Sequence, residues 1–140
     1  MFESIANYQG NKFYHINKET INKVQSELGI LFPKELLEFY THVGYGFIKS
    51  EQDNFNRIMD PQSVRDFRLR EDSFANNPDL DMYDECERDS LVFFEICEGT
   101  YLSIGFSKKN NGNIYYGKKK IADSLTEFLT KYQKDENYYD

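Results

Sequence analysis

Eleven consecutive residues, Asp79-Leu80-Asp81-Met82-Tyr83-Asp84-Glu85-Cys86-Glu87-Arg88-Asp89, carry six carboxylates and form the densest acidic run in the chain. Carboxylates this close together suit three kinds of chemistry. A calcium loop of the EF-hand type would begin at Asp79 and Asp81, but it needs an oxygen ligand where Tyr83 stands, Gly where Asp84 stands and Glu where Ser90 stands. A paired-carboxylate hydrolase needs two groups held across a cleft with separated pKa values, which a run of adjacent like charges does not provide. What stays open is a solvated linker or a partner-facing acidic loop, in which Leu80, Met82 and Tyr83 supply apolar anchors within a negative field. Our reading takes the second, with Asp79, Asp81, Asp84, Glu85, Glu87 and Asp89 as contact residues and Tyr83 as anchor.

No other group competes for a chemical role. Cys86 and Cys97 are not spaced as Cys-x-x-Cys and have no histidine nearby, so neither a redox pair nor a metal site is expected. His15 and His42 lack partners at metal-ligand spacing and read as surface or structural histidines. Gly44-Tyr45-Gly46 follows a helix and enters a strand, the reverse of the order that aims N–H groups at a phosphate. Gly-x-Ser-x-Gly is absent. No catalytic residue, cofactor or metal is assigned.

Net charge is −7, from 24 acidic against 17 basic residues, which disfavours nucleic acid, bound through phosphate neutralisation, and either favours a basic partner or simply keeps the chain in solution. One basic cluster stands out, Arg65, Arg68 and Arg70, read as the solvated face of a helix interleaved with Asp66, Glu71 and Asp72. No basic-then-apolar leader and no long apolar run appear, so a cytoplasmic location off the membrane is expected.

The elements that position these residues are written in local signals. Asn17 caps a first helix whose apolar residues Ile21, Val24 and Leu28 end at Gly29, a residue suited to a left-handed C-cap. Pro33 opens a second helix at its first position, with Leu36, Leu37, Tyr40 and Val43 on one face, and Gly44 stops it. Gly44-Tyr45-Gly46 then turns into a strand through Phe47-Ile48, at a corner with little room for side chains. Residues 1–16 read as an N-terminal arm in which Phe13–Ile16 is either an edge strand or an extended run. A short strand spans Phe55–Met59, and Asp60-Pro61 starts a middle helix that buries Val64, Phe67 and Leu69.

From Ser73 to Ser90 periodicity is lost. Leu91–Cys97 and Thr100–Phe106 then read as strands joined by a hairpin at Glu98-Gly99, and Asn111-Gly112 turns into a third strand at Ile114–Tyr116. Lys118, Lys119 and Lys120 blunt that strand's end against edge pairing. Ser124-Leu125-Thr126-Glu127 has capping-box spacing for a last helix with Leu125, Phe128, Leu129 and Tyr132 inward, and the acidic tail 135–140 frays. At 140 residues the chain fits one α+β domain, a mainly antiparallel sheet with an N-terminal helix pair, a middle helix and a C-terminal helix packed around it.

The order "apolar helix, Leu28-Gly29, a short gap, Pro33, a helix ending in Phe39-Tyr40, then Gly44-x-Gly46" resembles the SUKH superfamily. That family takes its name from a yeast cell-wall synthesis regulator and is rich in bacterial immunity proteins against polymorphic toxins. Asn56–Pro61 is similar to its strand leading to a Pro-initiated helix, and Ile121–Ser124 with Phe128-Leu129 to its closing helix. The resemblance runs from about Thr20 to Leu129, through Gly29, Pro33, Tyr40, Gly44, Gly46, Pro61, Ser124 and Phe128. It departs at Phe32, where the family usually has Leu, and at Gln25, where it often has Glu. The resemblance implies a single SUKH-like domain over 1–140 that holds a cognate toxin inactive by protein–protein contact. The toxins are often nucleases, whose basic grooves an acidic loop would fill. The alternative it leaves is a regulatory or scaffold interaction domain with no toxin.

Overall fold

The computed structural model describes residues 1–97 and 99–140; the hairpin expected at Glu98-Gly99 lies partly outside them. In chain order the elements are α1 (Glu3–Ala6), β1 (Lys12–Tyr14), α2 (Lys18–Leu28), α3 (Lys34–His42), β2 (Tyr45–Ile48), β3 (Asn56–Ile58) and α4 (Pro61–Leu69). Three short 3-10 turns follow (Asp72–Phe74, Pro78–Tyr83 and Cys86–Arg88), then β4 (Ser90–Ile96), β5 (Thr100–Gly105), β6 (Ile114–Tyr116), β7 (Lys119–Ala122) and α5 (Leu125–Lys134). Among the described residues the seven strands form one sheet in sequence order, every neighbouring pair antiparallel. The expected α+β class is therefore what the chain adopts.

Helix ends lie where short-range chemistry puts them. The Asn17 side chain accepts from the Glu19 N–H at 3.0 Å, and Gly29 closes α2 in the left-handed conformation (φ 66°). Asp60 accepts from the Ser63 N–H at 3.2 Å, with Pro61 at the first helical position. Ser124 accepts from the Glu127 N–H at 3.1 Å, while Glu127 reaches back to the Asp123 N–H at 3.3 Å, one residue earlier than a standard capping box. Pro33 is displaced by one position from expectation: its ψ of 146° makes it the N-cap of α3 rather than the first helical residue. The Gln25 amide oxygen accepts from the Phe32 N–H at 2.7 Å and closes the α2–α3 turn. That contact needs only an acceptor, so the change from Glu to Gln leaves it intact.

The glycine corner is tight because β1 runs against it. A Cβ at Gly44 would stand 1.9 Å from the Tyr14 carbonyl oxygen, and one at Gly46 would stand 2.1 Å from that of Lys12. Both glycines also have positive φ.

Register divides the sheet into two faces. Phe13, Gly46, Ile58, Phe94 and Leu102 are successive cross-strand partners and form the inner row. Against it Phe13 meets Phe39 of α3 at 5.6 Å, and Phe94 meets Phe128 and Tyr132 of α5, each at 5.2 Å. An irregularity between Val92 and Phe94 leaves Phe93 without a partner on β5, so that Phe93 also reaches Phe128. Tyr40 is fully buried and its hydroxyl donates to the Met59 carbonyl at 2.6 Å, tying α3 to the β3–α4 junction. The opposite row is Lys12, Phe47, Arg57, Glu95 and Tyr101.

Several expectations are corrected. The sheet has one strand more than expected: β1, β2 and β3 join the three strands from Leu91 onward near their expected places, and β7 adds an unexpected edge. Ile121 and Ala122 belong to β7 and not to the closing helix, and Lys119 and Lys120 lie within that edge strand. Residues 1–16 are no free arm, since Phe2, Ile5 and Ile16 are buried in the common core. Leu69 is exposed. The acidic tail does not fray: the Glu136 carboxylate accepts from Ser50 Oγ (2.7 Å), the Glu51 N–H (2.9 Å), Asn54 Nδ2 (3.2 Å) and Asn56 Nδ2 (3.0 Å), and the Tyr138 hydroxyl donates to Ile121 O at 2.7 Å.

Candidate functional site: an acidic ridge folded on one arginine

Arg70 caps α4 in the left-handed conformation (φ 55°), which turns its side chain back across the end of the helix. Its guanidinium lies 4.8 Å from the Phe67 ring centroid and donates to the carbonyls of Phe67 and Leu80, to Asp84 at 2.9 Å and to Glu87 at 2.6 Å. The segment 78–88 is thus wound into 3-10 turns around one cation. Beneath it Leu80 is buried, and the Tyr83 ring packs edge-on against Phe67 and Tyr101, both at 5.6 Å.

This arrangement sorts the expected contact residues into two sets. Tyr83 is only 7% exposed, and its hydroxyl accepts from the Tyr101 N–H at 3.1 Å. It is a core tyrosine and cannot anchor a partner. Glu87, 8% exposed, is likewise turned inward onto Arg70. Asp79, Asp81, Asp84, Glu85 and Asp89 face solvent, and the apolar side chain left among them is Met82, 75% exposed. Outside this shell Glu85 meets Lys118 at 3.2 Å, both exposed, a contact that contributes little in water.

Burial raises the Glu87 carboxyl above its ordinary value, and the Arg70 hydrogen bond and charge do not fully offset it. Burial works against the Arg70 charge too, yet its hydrogen bonds and charge contacts with Glu87 and Asp84 hold the guanidinium above its usual value. The penalty falls on the partner more fully removed from water: 10% of the Glu87 side chain is exposed, against 24% for Arg70. Burial also raises the Cys86 thiol, which favours its protonated form.

The expected basic face of α4 is corrected as well. Arg65 pairs with Asp66 at 2.6 Å, Glu71 at 2.9 Å and Glu27 at 3.5 Å, and Arg68 lies over the Phe106 ring and donates to Ser90 O. The cations are internal ties and offer no site for phosphate. Sequence reading missed the role of Arg70 because its partners stand ten to seventeen residues ahead with no periodic relation to it.

Among the described residues no group of three or more His, Cys, Asp or Glu side chains is placed to hold a metal ion; the ridge carboxylates diverge outward. A cleft of about 670 Å³ beside the α2–α3 turn, between Leu31, Leu37 and Phe106, has Lys34 as its one ionisable lining residue. Another, of about 530 Å³, is lined by Glu3, Glu38 and His42, which make no hydrogen bonds with one another. Among the described residues no helix is long and apolar enough to cross a membrane.

A sequential antiparallel sheet with the helix pair, the glycine corner, and the Pro-initiated and closing helices all in place defines a SUKH-type domain. The chain belongs to the SMI1 / KNR4 family (SUKH-1), whose model matches residues 15–131. It is 46% identical over 138 residues to a protein of Bacillus subtilis (strain 168) named "Immunity protein YxxD", an alignment that covers 99% of this chain and 94% of that protein. No solved structure matches the chain.

Proposed function

We propose that this protein is an immunity protein: it binds a cognate toxin domain and holds it inactive by direct contact. The observation that carries this reading is near full-length similarity to a protein named as an immunity protein, within a family whose model spans most of the chain. The surface is suited to that work. Asp79, Asp81, Asp84, Glu85 and Asp89 project from a scaffold made rigid by Arg70, Leu80 and Tyr83, so their charges are presented with little ordering cost on binding. Met82 takes the anchoring role first assigned to Tyr83. The matching partner face is basic, and a nuclease groove built for phosphate is of this kind. Glu87 acts here through Arg70 rather than by touching the partner.

The test is co-expression with the product of the neighbouring gene, scored by growth rescue and then by binding of the purified pair. We expect rescue and a stable complex whose association slows as salt is raised. Reversing Asp79, Asp81 and Asp89 to Lys is expected to weaken binding by about tenfold or more. Unchanged affinity would remove the ridge from the contact, and absence of rescue by the unaltered protein would remove the immunity reading.

A further inference from the structure

The outer row of the sheet changes character halfway across. At its β4–β5 end Tyr101 is covered by Phe67, Phe74 and Tyr83, at ring separations of 4.8, 6.3 and 5.6 Å. In the middle Glu95 is held by Arg57 Nε at 2.7 Å and by the Tyr101 hydroxyl at 3.1 Å, a polar tie across three adjacent strands. Beyond Arg57, on β2 and β1, the row is only partly covered: Tyr45 and Phe47 are half-buried, and Lys12 and Tyr14 are exposed. There Tyr14 and Tyr45 are cross-strand partners with rings 5.5 Å apart, and Phe47 packs edge-on against Phe55 at 4.9 Å. Phe55 is 47% exposed, the one exposed phenylalanine among the described residues, and Tyr14 is 42% exposed. Two exposed rings, Tyr14 and Phe55, resting on the half-buried Tyr45 and Phe47 of one sheet face are the composition of an interface core, not of ordinary surface.

Resting on the immunity reading, we propose that this partly open aromatic half of the sheet, with Tyr14 and Phe55 outward over Tyr45 and Phe47, is the apolar centre of the toxin contact, with the acidic ridge as its charged border. Charge selects the occupant. On one side of the rings the β2–β3 loop carries exposed Glu51 and Asp53, with Lys49 4.0 Å from Glu51; on the other lie Asp60 and Glu95, which leave Arg57 no free charge, and at the sheet edge exposed Lys12 stands opposite Phe47. Past Tyr101 the same face rises into the ridge. An apolar centre whose border is acidic on balance, and which leads to the ridge, matches a protein surface with an apolar middle and a basic rim. A second copy of this chain, itself at −7, would bring like charge against like. The row Lys12–Phe47–Arg57–Glu95–Tyr101 makes aromatic patch and ridge one continuous side of the molecule, so a single partner spans both.

The test uses the full chain and the purified toxin domain from the rescue experiment. Tyr14→Ser combined with Phe55→Ser removes two outward rings that the core does not use. The variant is expected to keep its unfolding midpoint and to lose about 30-fold or more in affinity, mainly through faster dissociation. Hydroxyl-radical footprinting of the unaltered complex supplies a readout independent of the variant's folding: Tyr14, Tyr45 and Phe55 should be protected. Unchanged affinity, or unprotected rings in an intact complex, overturns the proposal while leaving the immunity reading standing. A dimer of the free protein that Phe55→Asp dissolves overturns it also, by assigning the face to a second copy. Failure of the unaltered protein to bind removes the immunity reading on which it rests.

Discussion

Two acidic stretches of this chain, 79–89 and 135–140, look alike as sequence and are built by different means. Each turns one carboxylate inward and leaves its remaining charges outside. In the first, Glu87 is buried against a cation, and burial prevails: its carboxyl is raised. In the second, burial likewise pushes Glu136 up, but hydrogen bonds from Ser50, Asn56, Asn54 and the Glu51 N–H prevail and the net direction is down. Glu87 relies on a single guanidinium shared with Asp84, whereas Glu136 receives four donor groups of its own, and the two carboxyls end on opposite sides of their ordinary value. The two anchors differ in reach as well. Arg70 gathers residues within seventeen positions, whereas Glu136 ties the chain's end to the β2–β3 loop across more than eighty.

The comparison breaks or sharpens by mutation, beginning with the arginine. Arg70→Ala leaves Glu87 buried without its cation and releases the ridge, and is expected to cost about 3–5 kcal/mol in urea denaturation. The double variant Arg70→Met with Glu87→Leu should recover most of that loss, because removing both charges also removes the desolvation penalty. A loss for Arg70→Ala as small as that of an exposed pair would show that the ridge does not depend on this cation.

Glu136→Ala strands donors from Ser50, Glu51, Asn54 and Asn56 and should cost about 2–3 kcal/mol, with faster amide exchange in the β2–β3 loop as its local signature. Acid separates the two carboxylates further. Glu136, lowered from 4.5, contributes stability that is complete above that unfolded value and is lost as pH falls through the folded one. Glu87, raised from 4.5, contributes in the opposite sense: its term is present below the unfolded value and is lost as pH rises through the folded one. Thermal unfolding followed from neutral to acid pH should therefore show Glu136→Gln flattening the acid-side loss and Glu87→Gln steepening it. Equal effects of the two variants would erase the distinction. Smallest of all, Asp79→Asn or Asp81→Asn should leave unfolding within about 0.5 kcal/mol of the unaltered protein.

Elements were readable in the sequence wherever the deciding contact is local. Asn17, Asp60 and Ser124 satisfy helix N–H groups two or three residues ahead, and Gly29 ends α2 by its own backbone freedom. These depend on chemistry that any window of a few residues contains. The β1–β2 pairing was half visible. The crowding of Gly44 and Gly46 was expected, but not that the carbonyls of Tyr14 and Lys12 impose it. Of the candidate site, the acidic composition was legible and the direction of each side chain was not. Alternation that sorts inward from outward positions in a strand, or every third and fourth in a helix, gives no rule in the irregular 3-10 turns of 78–88.

What this chain determines by composition and spacing alone is the four longer helices, most of their caps, the glycine corner and an acidic net charge. Tertiary structure alone decided that Tyr83 and Glu87 go inward, that Arg70 is a tie and not a patch, that Glu136 locks the tail, and that Tyr14 and Phe55 stay open to solvent. The reason is distance along the chain. A cap meets its partner within one turn whatever the rest does, whereas a carboxylate is buried only if donors from remote strands and loops arrive to satisfy it, and a sheet face is uncovered only if no other segment reaches it.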